Sequence, residues 1–110
     1  MNEEIVNAVL GFRQSRNWEQ FHNPKDIAIS LSIEASELLE NFQWKTSEEA
    51  LEGKIESIAE ELADVLIYAI YLADALDLKI EDVIRNKLAQ NERKYPIEKA
   101  FGRKDKYTEL

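Results

Sequence analysis

The sequence predicts an all-α fold, an antiparallel bundle of four main helices plus one short helix, and three observations carry that prediction. Apolar residues recur at intervals of three and four along most of the chain, with no strand-like alternation. Glycine and proline occupy only five positions, Gly11, Pro24, Gly53, Pro96 and Gly102, so helix breakers are sparse. Hydrophobic residues make up 45% of the 110, which suits one compact domain over 1–110 with 96–110 as a polar C-terminal tail. A core of that size is modest, and helix packing between subunits is expected to supplement it.

The first helix should run from Glu3 to Arg16 and end in an aromatic, polar connection, Asn17-Trp18-Glu19-Gln20-Phe21-His22. Asn23-Pro24-Lys25-Asp26 then supplies an N-cap, a proline where no helical N–H is lost, and an acid that complements the helix dipole. From there a second helix is expected to about Gln43. Thr46-Ser47-Glu48-Glu49 reads as a capping box, opening a short third helix that stops near Gly53. The fourth, Ile55 to Leu76, is apolar nearly all round between Leu62 and Ala73. That demands contact on several sides, at a bundle centre or across a subunit interface. A fifth runs from Ile80 to Lys94 and breaks at Tyr95-Pro96, because proline pushes its predecessor out of helical geometry.

The net charge of −8 repels a phosphate backbone, which argues against general DNA or RNA binding. Single phosphorylated ligands remain open, since a metal can bridge acid to phosphate. Without cysteine there is no disulfide framework, thiolate nucleophile or Cys zinc site, and the start Met-Asn-Glu-Glu is unlike a cationic signal peptide. The longest apolar run, Val65 to Ala73, falls far short of the roughly 20 residues of a membrane span. A cytoplasmic protein with no membrane or nucleic-acid partner is expected.

Four acids stand out. Glu34 and Glu37 lie three residues apart in the second helix, and Glu61 and Asp64 do the same in the fourth, so each pair projects from one face. None has a Lys or Arg three or four residues away. Glu34 continues the row Ile27, Leu31, Leu38, and Glu61 lies between Ile58 and Val65, so both pairs border inward-looking surfaces. Each like-charged pair is unfavourable by about 0.2–0.5 kcal/mol in water, rising to several kcal/mol per ion where solvent is excluded. Ordinary solvated acids are the bland alternative, and basic residues from another helix could also neutralise them. A hard divalent ion suits this all-oxygen set better, with magnesium retaining waters for exchange with phosphate. His22, the one histidine, lies in a loop, which leaves a di-iron or zinc centre short of ligands.

Around the acids, Tyr68 follows Glu61 by seven residues and Asp64 by four, on the same face. Trp18, Phe21, His22, Phe42 and Trp44 offer flat faces for a nucleobase, although each can equally belong to the core. Eight of the 14 Lys and Arg residues fall between Arg85 and Lys106. There Lys87, Asn91 and Lys94 form a stripe able to donate to phosphate oxygens, with a solvated helix face as the plain alternative.

These residues resemble, over nearly the whole chain, the MazG-like all-α nucleoside triphosphate pyrophosphohydrolases, and most closely the dCTP pyrophosphatase branch. The likeness runs through Trp18 to His22, Glu34-Ala35-Ser36-Glu37-Leu38, Phe42-Gln43-Trp44-Lys45 and Glu60 to Tyr68. It continues through Lys87, Asn91, Arg93-Lys94-Tyr95-Pro96 and Lys106 to Leu110. The resemblance implies that Glu34, Glu37, Glu61 and Asp64 bind magnesium. It implies a base and sugar pocket formed by Trp18, Glu19, Gln20, Phe21, His22, Trp44 and Tyr68, with Lys87, Asn91 and Lys94 toward the phosphates. It also implies hydrolysis between the α and β phosphates, and a homotetramer built as a dimer of dimers, with a dimer as the alternative. The neighbouring Glu40 and Glu60 leave the ligand register open. Glu37 is the leading carboxylate for accepting the proton of the attacking water. The competing readings are a non-catalytic acidic scaffold for a basic partner and a nucleotide sensor without turnover.

Overall fold

The computed structural model describes all 110 residues, Met1–Leu110, as helices and turns with no strands. They form two compact units, Met1–Asp77 and Leu78–Leu110.

In the first unit, α1 (Glu3–Ser15) starts where the Asn2 side chain accepts from the Glu4 N–H at 2.7 Å. Asn17 takes a left-handed φ of 53°, which asparagine tolerates, and a 3-10 turn, Trp18–Phe21, follows. α2 (Pro24–Glu40) opens on the expected cap, Asn23 accepting from the Asp26 N–H at 3.0 Å. It stops at Glu40, three residues before the expected Gln43. Asn41 is the reason: its buried side-chain amide donates to the Glu37 and Leu38 carbonyls, both at 3.3 Å. The N–H groups of Asn41, Phe42 and Gln43 then reach back three residues instead of four, and the last turn tightens out of α geometry.

α3 spans Ser47–Ala75 and opens on the expected capping box, with Thr46 and Glu49 exchanging side-chain and backbone hydrogen bonds at 3.2 Å. The break expected at Gly53 does not occur, so the short third helix and the fourth helix are one helix of 29 residues. Glycine in a helix interior costs only about 1 kcal/mol relative to alanine. That is a weak stop beside the anchoring at Ala50, which is 0% exposed, and the long apolar stretch beyond. α2 packs most extensively on α3, and α1 also lies against α3. Ile27, Ala50, Ile70 and Tyr71 form the buried apolar core. Leu62 and Leu66 remain 48% and 43% exposed, so one chain does not cover the stretch that reads as apolar all round.

The second unit holds α4 (Ile80–Lys94), α5 (Ile97–Ala100) and a 3-10 turn, Tyr107–Glu109. The short helix of this fold therefore lies in the segment expected as a polar tail. The Pro96 carbonyl accepts from the N–H groups of Lys99 and Ala100 at 3.0 and 2.9 Å, closing that turn. No helix is long and apolar enough to cross a membrane.

Candidate metal centre

α2 and α3 run antiparallel at the acids: Glu37 meets Glu61, while Glu34, one turn earlier, meets Asp64 and Tyr68 further along α3. Glu34, Glu61 and Asp64 each place a carboxylate oxygen within 4.8 Å of the other two, and all three are half-buried. Glu37 is exposed and stands beside this triad, close enough to bear on both Glu34 and Glu61. None of the four acids forms an ion pair with a basic side chain. Of the neighbours that left the ligand register open, Glu40 and Glu60 are both exposed and lie outside the triad that Glu61 joins.

The electrostatic cost is visible. Loss of water, then hydrogen bonding with Glu37 and the charges of Glu37, Asp64 and Glu61, push the Glu34 carboxyl up to about 7. Glu61 is raised in the same direction, first by desolvation and then by the charge of Glu37. Oε2 of Glu34 and Oε2 of Glu61 are sealed from solvent with no hydrogen-bond partner. Buried polar atoms are seldom left so. A hard divalent cation would satisfy both atoms at once and relieve the repulsion, and a donor set of oxygens alone fits such an ion.

Beyond the acids lies an aromatic layer. His22 packs against Tyr68 and Tyr71 with ring centroids 6.4 and 5.2 Å apart, and the two tyrosines meet edge to face at 5.5 Å. The buried Arg13 guanidinium lies 5.0 Å from the Tyr71 ring centroid and pairs with Asp74. Burial, then the charge of Arg13, lowers the His22 pKa, and its Nδ1 is sealed without a partner. Burial and the neighbouring Glu34 and Asp64 charges raise Tyr68. The imidazole and the phenol are therefore both held toward their neutral forms, the phenol beside Glu34 and Asp64.

Of the residues expected around a base, His22 and Tyr68 join this layer and the others do not. Trp18 packs edge-on against Phe12 at 5.7 Å, Gln20 donates to the Asn17 carbonyl at 3.1 Å, and Glu19 accepts the His22 backbone N–H at its carbonyl while its side chain bears on His22 through charge. Phe21 is 65% exposed, and Trp44 is 92% exposed at the α2–α3 turn with a left-handed φ of 65°. Lys87, Asn91 and Lys94 lie on α4 in the second unit, where the Lys94 ammonium sits 4.8 Å from the Tyr107 ring centroid.

Sequence reading gave no site role to five residues. Arg13 and Asp74 are 61 positions apart, with no local signal to link them. Tyr71 had one, three residues beyond Tyr68 on the same face. Lys45 and Lys54 line a polar cleft of about 350 Å³ together with Glu37, Glu40, Asn41, Ser57 and Glu61. Lys54 precedes Glu61 by seven residues, and a helix broken at Gly53 hides that relation.

Residues 29–110 match the model of the MazG-like family. The chain is 35% identical over 113 residues to dCTP pyrophosphatase 1 of Bos taurus, covering 98% of this chain and 67% of that protein. Against the Homo sapiens dCTP pyrophosphatase 1 the identity is 38%, with 98% and 66% covered. The chain thus spans about two thirds of the length of these curated relatives. A crystal structure of a pyrophosphatase from Archaeoglobus fulgidus superposes with a TM-score of 0.78 and 44% identity, over 86% of this chain and 91% of that one.

Proposed function

The chain belongs to the MazG-like family, and from that premise we propose that it hydrolyses nucleoside triphosphates between the α and β phosphates, releasing a nucleoside monophosphate and pyrophosphate. We propose dCTP or a related nucleotide as substrate, on the strength of the relatives named for that activity. The observation that carries the reading is the pair of sealed, partnerless oxygens on Glu34 and Glu61, set in a triad with Asp64 that no basic side chain neutralises.

Glu34, Glu61 and Asp64 would hold magnesium, with Glu37 at the open side. Bound there, the ion supplies charge neutralisation for the phosphates and lowers the pKa of water. The protein's own share is positional. Through the ion it would hold, the triad would set where phosphate oxygens come to rest, and its unpaired, half-buried carboxylates favour a cation there. Water adds across the α–β phosphoanhydride, its oxygen ending on phosphorus as the P–O bond that joins the nucleoside monophosphate to pyrophosphate breaks. Glu37, exposed to solvent and beside the triad, accepts the water's proton. His22 and Tyr68, backed by the buried Tyr71, offer stacking surface and neutral hydrogen-bonding atoms for the nucleoside.

Assembly belongs to the same proposal. Leu39, Ile55, Leu62 and Leu66 are 69, 55, 48 and 43% exposed, and each such side chain gains about 1.5–3 kcal/mol on full burial. A homotetramer formed as a dimer of dimers would cover them, and a cytoplasmic setting suits a cysteine-free housekeeping enzyme of the nucleotide pool. The test is a panel of natural and cytosine-modified triphosphates, scored for pyrophosphate release with and without magnesium. Release from dCTP that disappears with chelator supports the reading. Absence of release from every triphosphate, in a protein that binds magnesium, overturns it. Light scattering on the eluting protein checks the mass of the assembly.

A further inference from the structure

Because α3 runs unbroken through Gly53, Lys54, Ser57, Glu61, Asp64, Tyr68 and Tyr71 recur at three- and four-residue spacing along one face. That stripe changes character along its length, from a cation and a hydroxyl, through two acids, to two aromatic rings. The cleft at its first end shares Glu37 and Glu61 with the carboxylate cluster, and Lys45 reaches it from the α2–α3 turn. Neither the Lys45 nor the Lys54 ammonium group forms an ion pair or hydrogen bond, although three glutamates line the same cleft. The Asn41 amide is committed to the Glu37 and Leu38 carbonyls, so the free donors there are the two ammonium groups and the Ser57 hydroxyl.

We propose that the Lys45–Lys54 cleft seats the terminal two phosphates of the substrate, the part that leaves as pyrophosphate, so that the nucleoside lies toward His22, Tyr68 and Tyr71. This rests on the pyrophosphohydrolase reading and adds a direction and a binding subsite to it. Charge makes the cleft selective. A bare polyanion is repelled by Glu37, Glu40 and Glu61, whereas the same anion carrying a divalent cation presents the cation to carboxylates and its remaining oxygens to the lysines. About 10 Å of helix separates Lys54 from Glu61, and both side chains line the same cleft.

The test uses the full chain and magnesium pyrophosphate as the probe, followed by calorimetry and by inhibition of turnover. Lys45→Gln and Lys54→Gln should each weaken magnesium pyrophosphate binding by about tenfold, with affinity for magnesium alone and for dCMP unchanged. Lys54→Arg should retain most of the binding. Lys25→Gln, an equal change in net charge at the start of α2, should change nothing, and thermal melts of the apo variants confirm folding. A double variant that binds magnesium pyrophosphate as tightly as the parent overturns the proposal, as does an equal loss in Lys25→Gln. The two readings fail separately. Lysine-dependent binding in a chain that hydrolyses no triphosphate keeps this anion site and sinks the enzymatic reading, whereas an active enzyme with lysine-independent binding sinks the site alone.

Discussion

Glu61 and Asp74 stand 13 residues apart on α3 and meet opposite environments. Asp74 pairs with Arg13, whose side chain is 5% exposed and stacked on Tyr71, so the chain itself cancels that charge. Glu61 looks toward Glu34, Glu37 and Asp64 and has no basic partner. A buried charge is tolerated when paired, and an unpaired cluster persists only where something else gains from it. One end of this helix therefore serves the fold, whereas the middle carries a cost to the fold that the proposed ligand would relieve.

Mutation of the two acids should pull that contrast apart. Glu61→Gln removes a proposed metal ligand, and pyrophosphate release should fall by about a hundred- to a thousandfold while the apo protein melts no earlier than the parent. Equal melting losses in Glu61→Gln would erase the distinction. Asp74→Asn should do the reverse. It strands a buried guanidinium and should cost about 2 kcal/mol in denaturant unfolding, with magnesium affinity unaltered.

Titration sharpens the same comparison. Glu34 holds its proton up to about 7 in the folded chain against an ordinary value of 4.5, so between those values the folded state keeps a proton that the unfolded state has lost. Apo stability should therefore decline as pH rises from about 4.5 to about 7, by roughly 1 kcal/mol once solvent screening is allowed for. Glu34→Gln should flatten that slope, and magnesium should reverse it because the ion favours the ionised form. A slope that survives in Glu34→Gln assigns it to other groups. The smallest effect lies at Gly53, where an added Cβ meets nothing within 4 Å. Gly53→Ala should raise stability by about 0.5–1 kcal/mol in chemical denaturation, and a loss there would mean that the helix needs glycine at that point.

The all-α class, the caps at Asn23 and Thr46 and the four acids were legible in the chain, because capping and helical spacing are local chemistry acting over three or four residues. So was the want of a cation beside those acids. The continuity of α3 was not legible. Gly53 is a weak signal that packing around Ala50 overrides, and with the break assumed, Lys54 could not be seen as two turns from Glu61. Arg13 with Asp74, and His22 against Tyr71, were equally beyond reach, since each joins segments far apart in sequence. Which charges this protein carries, and on which helical faces, its sequence determined alone. Which of them it neutralises for itself and which it leaves without a counter-ion was decided only when α1 and α2 closed on α3, because pairing and desolvation depend on distances in space.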